Sequence, residues 1–321
     1  MIVQDSTVIK LPTALFPSFS GVSNGHSTVC NARIQAVYDL IGGKLIEFSI
    51  DPCSRNDLAA APELEIREGD LVLGDRGYLT AREIQRHVDC GADFIFRHKT
   101  GMVYLDPETQ LPLNLPALLK RRGILDMEVL MNDEKRTRVR LLAAPVDPET
   151  ASLRRMRAKK ETKGHNPSAA VLELMDWTIF ITNIAGSKAT FAEILGIYGL
   201  RWRIEVIFKA WKSHLKFDEV HQVSERQLRI LLKTKLLVIA AASNLYRRFE
   251  SILWRKYRRR LSLLKFMNSM AASMARLNRV LCPLSEEALE SSSLVKALAR
   301  YCCYDKRKKR RNFAETWEFL A

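Results

Sequence analysis

An α/β fold built on a mixed sheet, followed by a helical C-terminal region, is what this 321-residue chain predicts. Three observations carry the prediction. Runs rich in β-formers crowd roughly the first hundred residues, with one helical run between the last two, a β-β-β…β-α-β order. From Phe191 onward the apolar residues recur at helical spacing. Hydrophobic residues make up 47% of the chain, enough for a sizeable core in one large domain or two smaller ones.

Taken in order, MIVQDSTVIKLP reads as the first strand. ARIQAVYDL and KLIEFSI follow, joined through Ile41-Gly42-Gly43, a hairpin signal. DLVLGDRGY is a short apolar strand ending in a polar turn. Thr80 opens a helix: with Glu83 it fits a capping box, and AREIQRHVDC carries the helix to Gly91. ADFIFRHK is the next strand. Between 101 and 175 the character changes. Pro107, Pro112 and Pro116 cluster, and MEVLMNDEKRTRVRLLAAPV reads as a hairpin with a polar tip. LRRMRAKKETKGHNP is a basic segment, helical at first and broken at Gly164 and Pro167. This segment reads as a mostly β insertion. DWTIFITN returns to a strand. Helices then follow over YGLRWRIEVIFKAWK, over QLRILLKTKLLVIAAASNLYRRF, and around 261–278 and 286–301. The expected organisation is a core in 1–100 and 176–225, an insertion in 101–175, a helical region in 226–304 and a basic tail in 305–321.

The charge balance narrows the function. Lys and Arg number 51 against 36 Asp and Glu, a formal +15 with a pI near 9.7. A field of that sign favours a polyanion such as nucleic acid, or an anionic membrane surface. The start lacks a basic segment followed by an apolar one, so no signal peptide is read. The longest apolar run, LLVIAAASNL, is too short to span a bilayer, and no membrane partner is expected. Six cysteines show no CxxC and no histidines at metal spacing, which suits reduced structural thiols of a cytoplasmic protein.

YGLRWRIEVIFKAWK raises the functional question. At about 100° per residue, Tyr198, Arg201, Glu205 and Lys212 share one face roughly 80° wide, with Lys209 and Lys216 close by. Leu200, Ile204, Ile207, Phe208, Trp211 and Leu215 gather on the other side, facing a core. One reading is a solvated face with Glu205 and Lys209 as an ordinary i, i+4 pair. The other is a layout that grips a phosphate backbone while one carboxylate takes a cation. A single carboxylate binds Mg²⁺ poorly. Asp75 ends an apolar strand and Asp5 lies inside a β-forming run, where an acid is costly unless paired or ligating. Each also fits a plain turn or capping acid. Three carboxylates from two strands and a helix permit a two-metal site for in-line phosphoryl displacement.

These residues match a known family. The chain resembles bacterial insertion-sequence transposases with a DDE catalytic domain, of the IS-four type. DSTVIKLP carries the first acid, GDRGY the second and YGLRWRIEVIFKAWK the third. The last fits the family's Y-x2-R-x3-E-x6-K signature at Tyr198, Arg201, Glu205 and Lys212. The resemblance covers about residues 1–250.

The resemblance implies an RNase H-like mixed sheet flanked by helices, and metal-dependent DNA strand cleavage and strand transfer. It implies Asp5, Asp75 and Glu205 as ligands of two Mg²⁺ (or Mn²⁺) ions. It implies Tyr198, Arg201 and Lys212 as contacts to transposon-end phosphates. Trp177 sits in the context of a tryptophan that stacks on a flipped base, and also fits a core strand. Arg76 and Lys209 are further DNA contacts, though Arg76 equally suits pairing with an acid. His26 and His98 are read as structural. RRMRAKK and WRKYRRR either track DNA or form solvated faces. The implied partners are double-stranded DNA, as transposon ends and target, and a second copy in a synaptic homodimer, in the nucleoid of a bacterial cytoplasm. Family members carry an N-terminal helical domain ahead of the first acid, whereas Asp5 stands near the start here, so an N-terminally truncated transposase is expected. The rival readings are a remnant that only binds DNA or inhibits a full-length copy, and an RNase H-like nuclease that never joins strands.

Overall fold

The structure, a computed structural model, describes residues 1–21, 29–55, 64–161, 166–272, 292–305 and 315–316. In chain order it begins with strands β1 (Ile2–Lys10), β2 (Asn31–Asp39), β3 (Lys44–Pro52) and β4 (Leu71–Gly74), helix α1 (Ala81–Asp89) and strand β5 (Asp93–Arg97). Next come β6 (Tyr104–Leu105), α2 (Leu115–Arg122), β7 (Leu125–Met131), β8 (Arg138–Pro145), α3 (Pro148–Glu161), α4 (Ala169–Leu174) and β9 (Trp177–Thr182). The chain continues through α5 (Phe191–Gly199), α6 (Arg203–Leu215), α7 (Glu225–Tyr257), α8 (Leu263–Ala272) and α9 (Ser293–Tyr301). This is the mixed α/β class with a helical C-terminal region. Two compact units divide it: Met1–Leu64 with Gly199–Ala321, and Glu65–Tyr198.

In the first unit β1, β2 and β3 form an antiparallel meander, with Asp5 opposite Ala36. The β2–β3 turn closes on Gly43 at φ +60°, a conformation that favours glycine. The helix α6 buries Ile204, Ile207, Phe208 and Trp211, the apolar side its spacing predicts. Its ring contacts Phe208–Trp211 and Trp211–Phe217 have centroids 5.2 and 5.8 Å apart. The 33-residue α7 starts at a capping box of Ser224 and Gln227 and buries a residue every three or four positions from Leu228 to Leu253.

In the second unit β4 runs parallel to β5, with α1 as the crossover, and β5, β9, β8, β7 and β6 continue antiparallel. A Cβ at Gly74 would fall 1.9 Å from the Phe96 ring, so only glycine fits before Asp75. Asn183 secures the end of β9 by accepting from the Phe94 amide (2.9 Å) and donating to the Ala92 carbonyl (2.8 Å). One unit thus carries an antiparallel meander and the other a β-α-β element.

Three local expectations change. The Thr80 side chain does accept from the Glu83 amide (3.1 Å), but the Glu83 carboxylate turns to Arg86 at 3.3 Å instead of completing the box. The proline-rich stretch contains α2: Asn114 caps it by accepting from the Ala117 amide, and Pro116 falls in the first turn, where no intrahelical N–H is needed. With α2, α3 and α4, helices share the 101–175 segment with the strands. Finally, YGLRWRIEVIFKAWK is not one uniform helix. A 3-10 turn at Leu200–Trp202 separates α5 from α6. The tighter winding advances about 120° per residue, so Tyr198 is rotated off the single face drawn for a regular helix.

Candidate active site

The first unit joins two of the predicted acids through one arginine. Asp5 lies mid-strand in β1, and Glu205 in the first turn of α6, where the helix dipole favours a carboxylate. Arg201, in the 3-10 turn, donates from Nη1 to Asp5 Oδ2 (3.1 Å) and from Nη2 to Glu205 Oε1 (3.0 Å). Its side chain is only 12% exposed, against 21% for Asp5 and 35% for Glu205. The Ser6 amide donates to the other Asp5 oxygen at 2.8 Å and fixes that carboxylate. Two carboxylates thus converge on one guanidinium. Their hard oxygen donors suit Mg²⁺ or Mn²⁺, and the guanidinium stands where a positive charge is already accommodated.

Lys212, one helical turn beyond Phe208, donates from Nζ to the Val8 carbonyl of β1 at 2.8 Å. Burial lowers its pKa. Sequence reasoning had given it to DNA alone; here it also clamps α6 to β1, leaving two N–H donors of its ammonium for other partners. Lys209 is exposed on the same helix. Trp202, which sequence reasoning passed over, is 62% exposed beside Arg201. An exposed tryptophan inside the signature was the available signal.

Asp75 belongs to the second unit. It follows the C-terminal end of β4, and Arg76 and Tyr78 form a 3-10 turn after it. Tyr198 donates its hydroxyl to the Gly74 carbonyl (3.4 Å) and packs on Phe180 with ring centroids 4.6 Å apart. Two further arginines accompany exposed Arg76: Arg97, absent from the sequence-based set, and Arg154, which that set held only within the run RRMRAKK. Arg97 ends β5, and Arg154 of α3 donates to the Trp177 carbonyl (2.9 Å) and to Thr178 Oγ1 (3.1 Å). Burial lowers the Arg97 pKa, the charges of Arg76 and Arg154 push the same way, and Tyr198 and Asp75 oppose. Burial and then Arg76 lower Arg154 as well. Trp177 is half-buried in β9 opposite Pro145, a strand position that holds Arg154 through its backbone. His98 is half-buried, its Nδ1 shares a hydrogen bond with the Tyr104 hydroxyl (2.8 Å), and burial with the Arg76 charge brings its pKa to about 4. It is a neutral structural histidine.

The basic runs divide in the same way. In RRMRAKK, Arg154 and Arg155 turn inward, Arg155 to Asp176. In WRKYRRR, Arg258 and Arg260 fold over the Trp254 ring. His26, Cys282 and most of the 305–321 tail lie outside the described residues. Within each unit, among the described residues, no three His, Cys, Asp or Glu side chains gather as metal ligands. No described helix is long and apolar enough to cross a membrane.

The family model of the transposase DDE domain matches residues 1–241. The chain belongs to that family. Among relatives, the transposase for insertion sequence element IS231E of Bacillus thuringiensis subsp. finitimus is 27% identical over 283 residues, covering 81% of this chain and 59% of its own. The transposase for insertion sequence element IS1151 of Clostridium perfringens is 22% identical over 295 residues, 84% of this chain and 62% of its own. The chain therefore spans about three fifths of the length of these curated relatives. The piggyBac transposase, solved as a synaptic complex with hairpin DNA, aligns over 97% of this chain and 59% of its own at 9% identity and a TM-score of 0.45, too distant a likeness to carry weight.

Proposed function

We propose that this DDE family member is a DNA transposase that cleaves and joins strands at the ends of an insertion sequence by metal-dependent phosphoryl transfer. The observation that carries the reading is the convergence of Asp5 and Glu205 on Arg201 within the family's signature. The proposed ligand set is Asp5 and Glu205, with Asp75 added on the strength of the GDRGY motif. These carboxylates would hold two Mg²⁺ (or Mn²⁺) ions, which would supply Lewis-acid activation of a water or 3′-hydroxyl and charge stabilisation at the leaving oxygen.

The protein's own groups position and neutralise. Arg201 keeps the two carboxylates oriented. Lys212 and Lys209 extend that positive line along α6. Tyr198, Arg76, Arg97 and Arg154 grip phosphates from the second unit. For base stacking, exposure supports Trp202 over half-buried Trp177. The charge of +15 supports double-stranded DNA as the partner, both as element ends and as target, in the bacterial nucleoid. A synaptic homodimer is supported by Ile230, Leu237 and Val238, exposed apolar residues along one side of α7.

The test is cleavage of DNA carrying the element's ends with Mg²⁺ or Mn²⁺. Glu205→Gln abolishes cleavage and joining while leaving most DNA affinity. Full metal-dependent activity in that variant would sink the assignment.

A further inference from the structure

A second charged site lies within the first unit. On α7, Arg247, Glu250, Ser251 and Trp254 recur at helical spacing and present one face. That face, the β2–β3 turn, Arg203 of α6, Arg260 of the loop after α7 and Leu263 at the start of α8 line a cavity of about 320 Å³. Among the described residues, three guanidiniums line it, from Arg203, Arg247 and Arg260, against one carboxylate, Glu250, a surplus of two positive charges.

The arginines are held by construction. Arg203 is 8% exposed and donates to the hydroxyls of Tyr246 (3.0 Å) and Tyr304. Arg260 lies 3.9 Å over the Trp254 ring, and its nearest oxygen on Glu250 is 3.8 Å away, too far for a hydrogen bond. Its Nε is buried with no hydrogen-bond partner. Arg247 crosses the turn at Gly43, where a Cβ would fall 2.8 Å from its Cδ. Glycine there serves the positive φ and also leaves room for the arginine stem. Burial raises the Glu250 pKa, against the pull of Arg260, Arg203 and Arg247, so the one acid is itself poorly solvated.

We infer that this cavity binds a phosphate group, with Arg247 and Arg260 as its donors and Arg203 as the fixed charge behind them. The two-charge surplus matches a phosphate dianion, and guanidinium forks match its oxygens in pairs. The volume is at the small end for ligand pockets, which suits a diphosphate-sized group. The group can come from a free phosphorylated molecule or from a DNA strand.

Calorimetric titration with pyrophosphate tests this. Wild type is expected to bind, Arg247→Gln to lose at least tenfold in affinity, and Lys209→Gln, on the proposed DNA face, to bind as wild type. Arg260→Gln is expected to behave like Arg247→Gln; should it fail to fold for loss of the Trp254 contact, the Arg247 variant decides. Gly43→Ala is a second check, weakening binding by displacing Arg247 while keeping every donor. The inference is overturned if wild type does not bind, or if Arg247→Gln binds as tightly as wild type. A short unmodified duplex that displaces pyrophosphate from the Lys209 variant assigns the site to DNA; no displacement assigns it to a free ligand. This result is independent of strand cleavage, so it stands or falls apart from the transposase reading.

Discussion

The acid pair of the first unit and the arginine cluster of the second are opposite in charge logic. Around Arg201, two carboxylates face one guanidinium. Around Asp75, the charge of Arg76 acts on Arg97 and Arg154, the charge of Arg154 acts on Arg97 as well, and the carboxylates of Asp75 and Asp147 oppose it, the first at Arg97 and the second at Arg154. An acid-rich group is stabilised by added cations, and a base-rich group by added phosphate. On the proposed reading the two are complementary: the acid pair would supply oxygen ligands to the ions, and the arginines would compensate the charge of the polyanion.

The largest break in this comparison is expected from Glu205→Gln. It removes the charge of a proposed ligand from the acid-rich side, and strand cleavage should fall about a thousandfold or more, the several kcal/mol that a Lewis-acid site contributes. On the base-rich side, His98 reports through pH. Its folded pKa of about 4 lies below the unfolded value near 6.5, so the unfolded chain takes up the proton first as pH falls. The stability it contributes is complete above about pH 6.5 and is lost toward pH 4, on the order of 3 kcal/mol at most. Buried His87, also lowered by desolvation, acts in the same direction. Denaturant melts of wild type and His98→Gln across that range should diverge below pH 6; parallel curves would remove the histidine from the account.

Arg201→Gln sharpens the contrast further. It leaves Asp5 and Glu205 facing each other without the guanidinium, which should cost about 2 kcal/mol without metal. Added Mn²⁺ should then raise the Tm of the variant more than that of wild type. An equal rise in both would mean that the arginine does not stand in the cation's place. The smallest effects belong to the proposed phosphate contacts. Arg154→Gln and Lys212→Ala should each weaken end-DNA binding and lower the slope of log K against log salt by about 1. Lys212→Ala should also lower stability, because Nζ holds the Val8 carbonyl. An unchanged slope would confine either residue to a structural role.

Much of the scaffold was legible because local signals are strong. The Gly42-Gly43 hairpin, the Thr80 cap and the alternation of DWTIFITN lead directly to β2–β3, α1 and β9. The helix α2 was hidden because prolines usually mark loops, although Pro116 sits where a helix tolerates one. The break at Leu200–Trp202 was hidden because 3-10 and α-helix share nearly the same backbone region and no glycine or proline marks the change inside the turn. Glu205 and Arg201 were readable from a motif on one helix. Arg97, Arg203 and Arg247 were not, and Arg154 was visible only as part of the run RRMRAKK. In sequence each is one arginine among many, and only tertiary placement distinguishes a guanidinium that is buried or clustered from one in solvent.

The central claim is that Asp5 and Glu205 bind a divalent cation. Mn²⁺ titration followed by electron paramagnetic resonance tests it without DNA or turnover. Wild type should bind Mn²⁺, and the Asp5→Asn/Glu205→Gln double variant should lose at least tenfold in affinity while keeping its fold. Equal Mn²⁺ affinity in the folded double variant would contradict the claim.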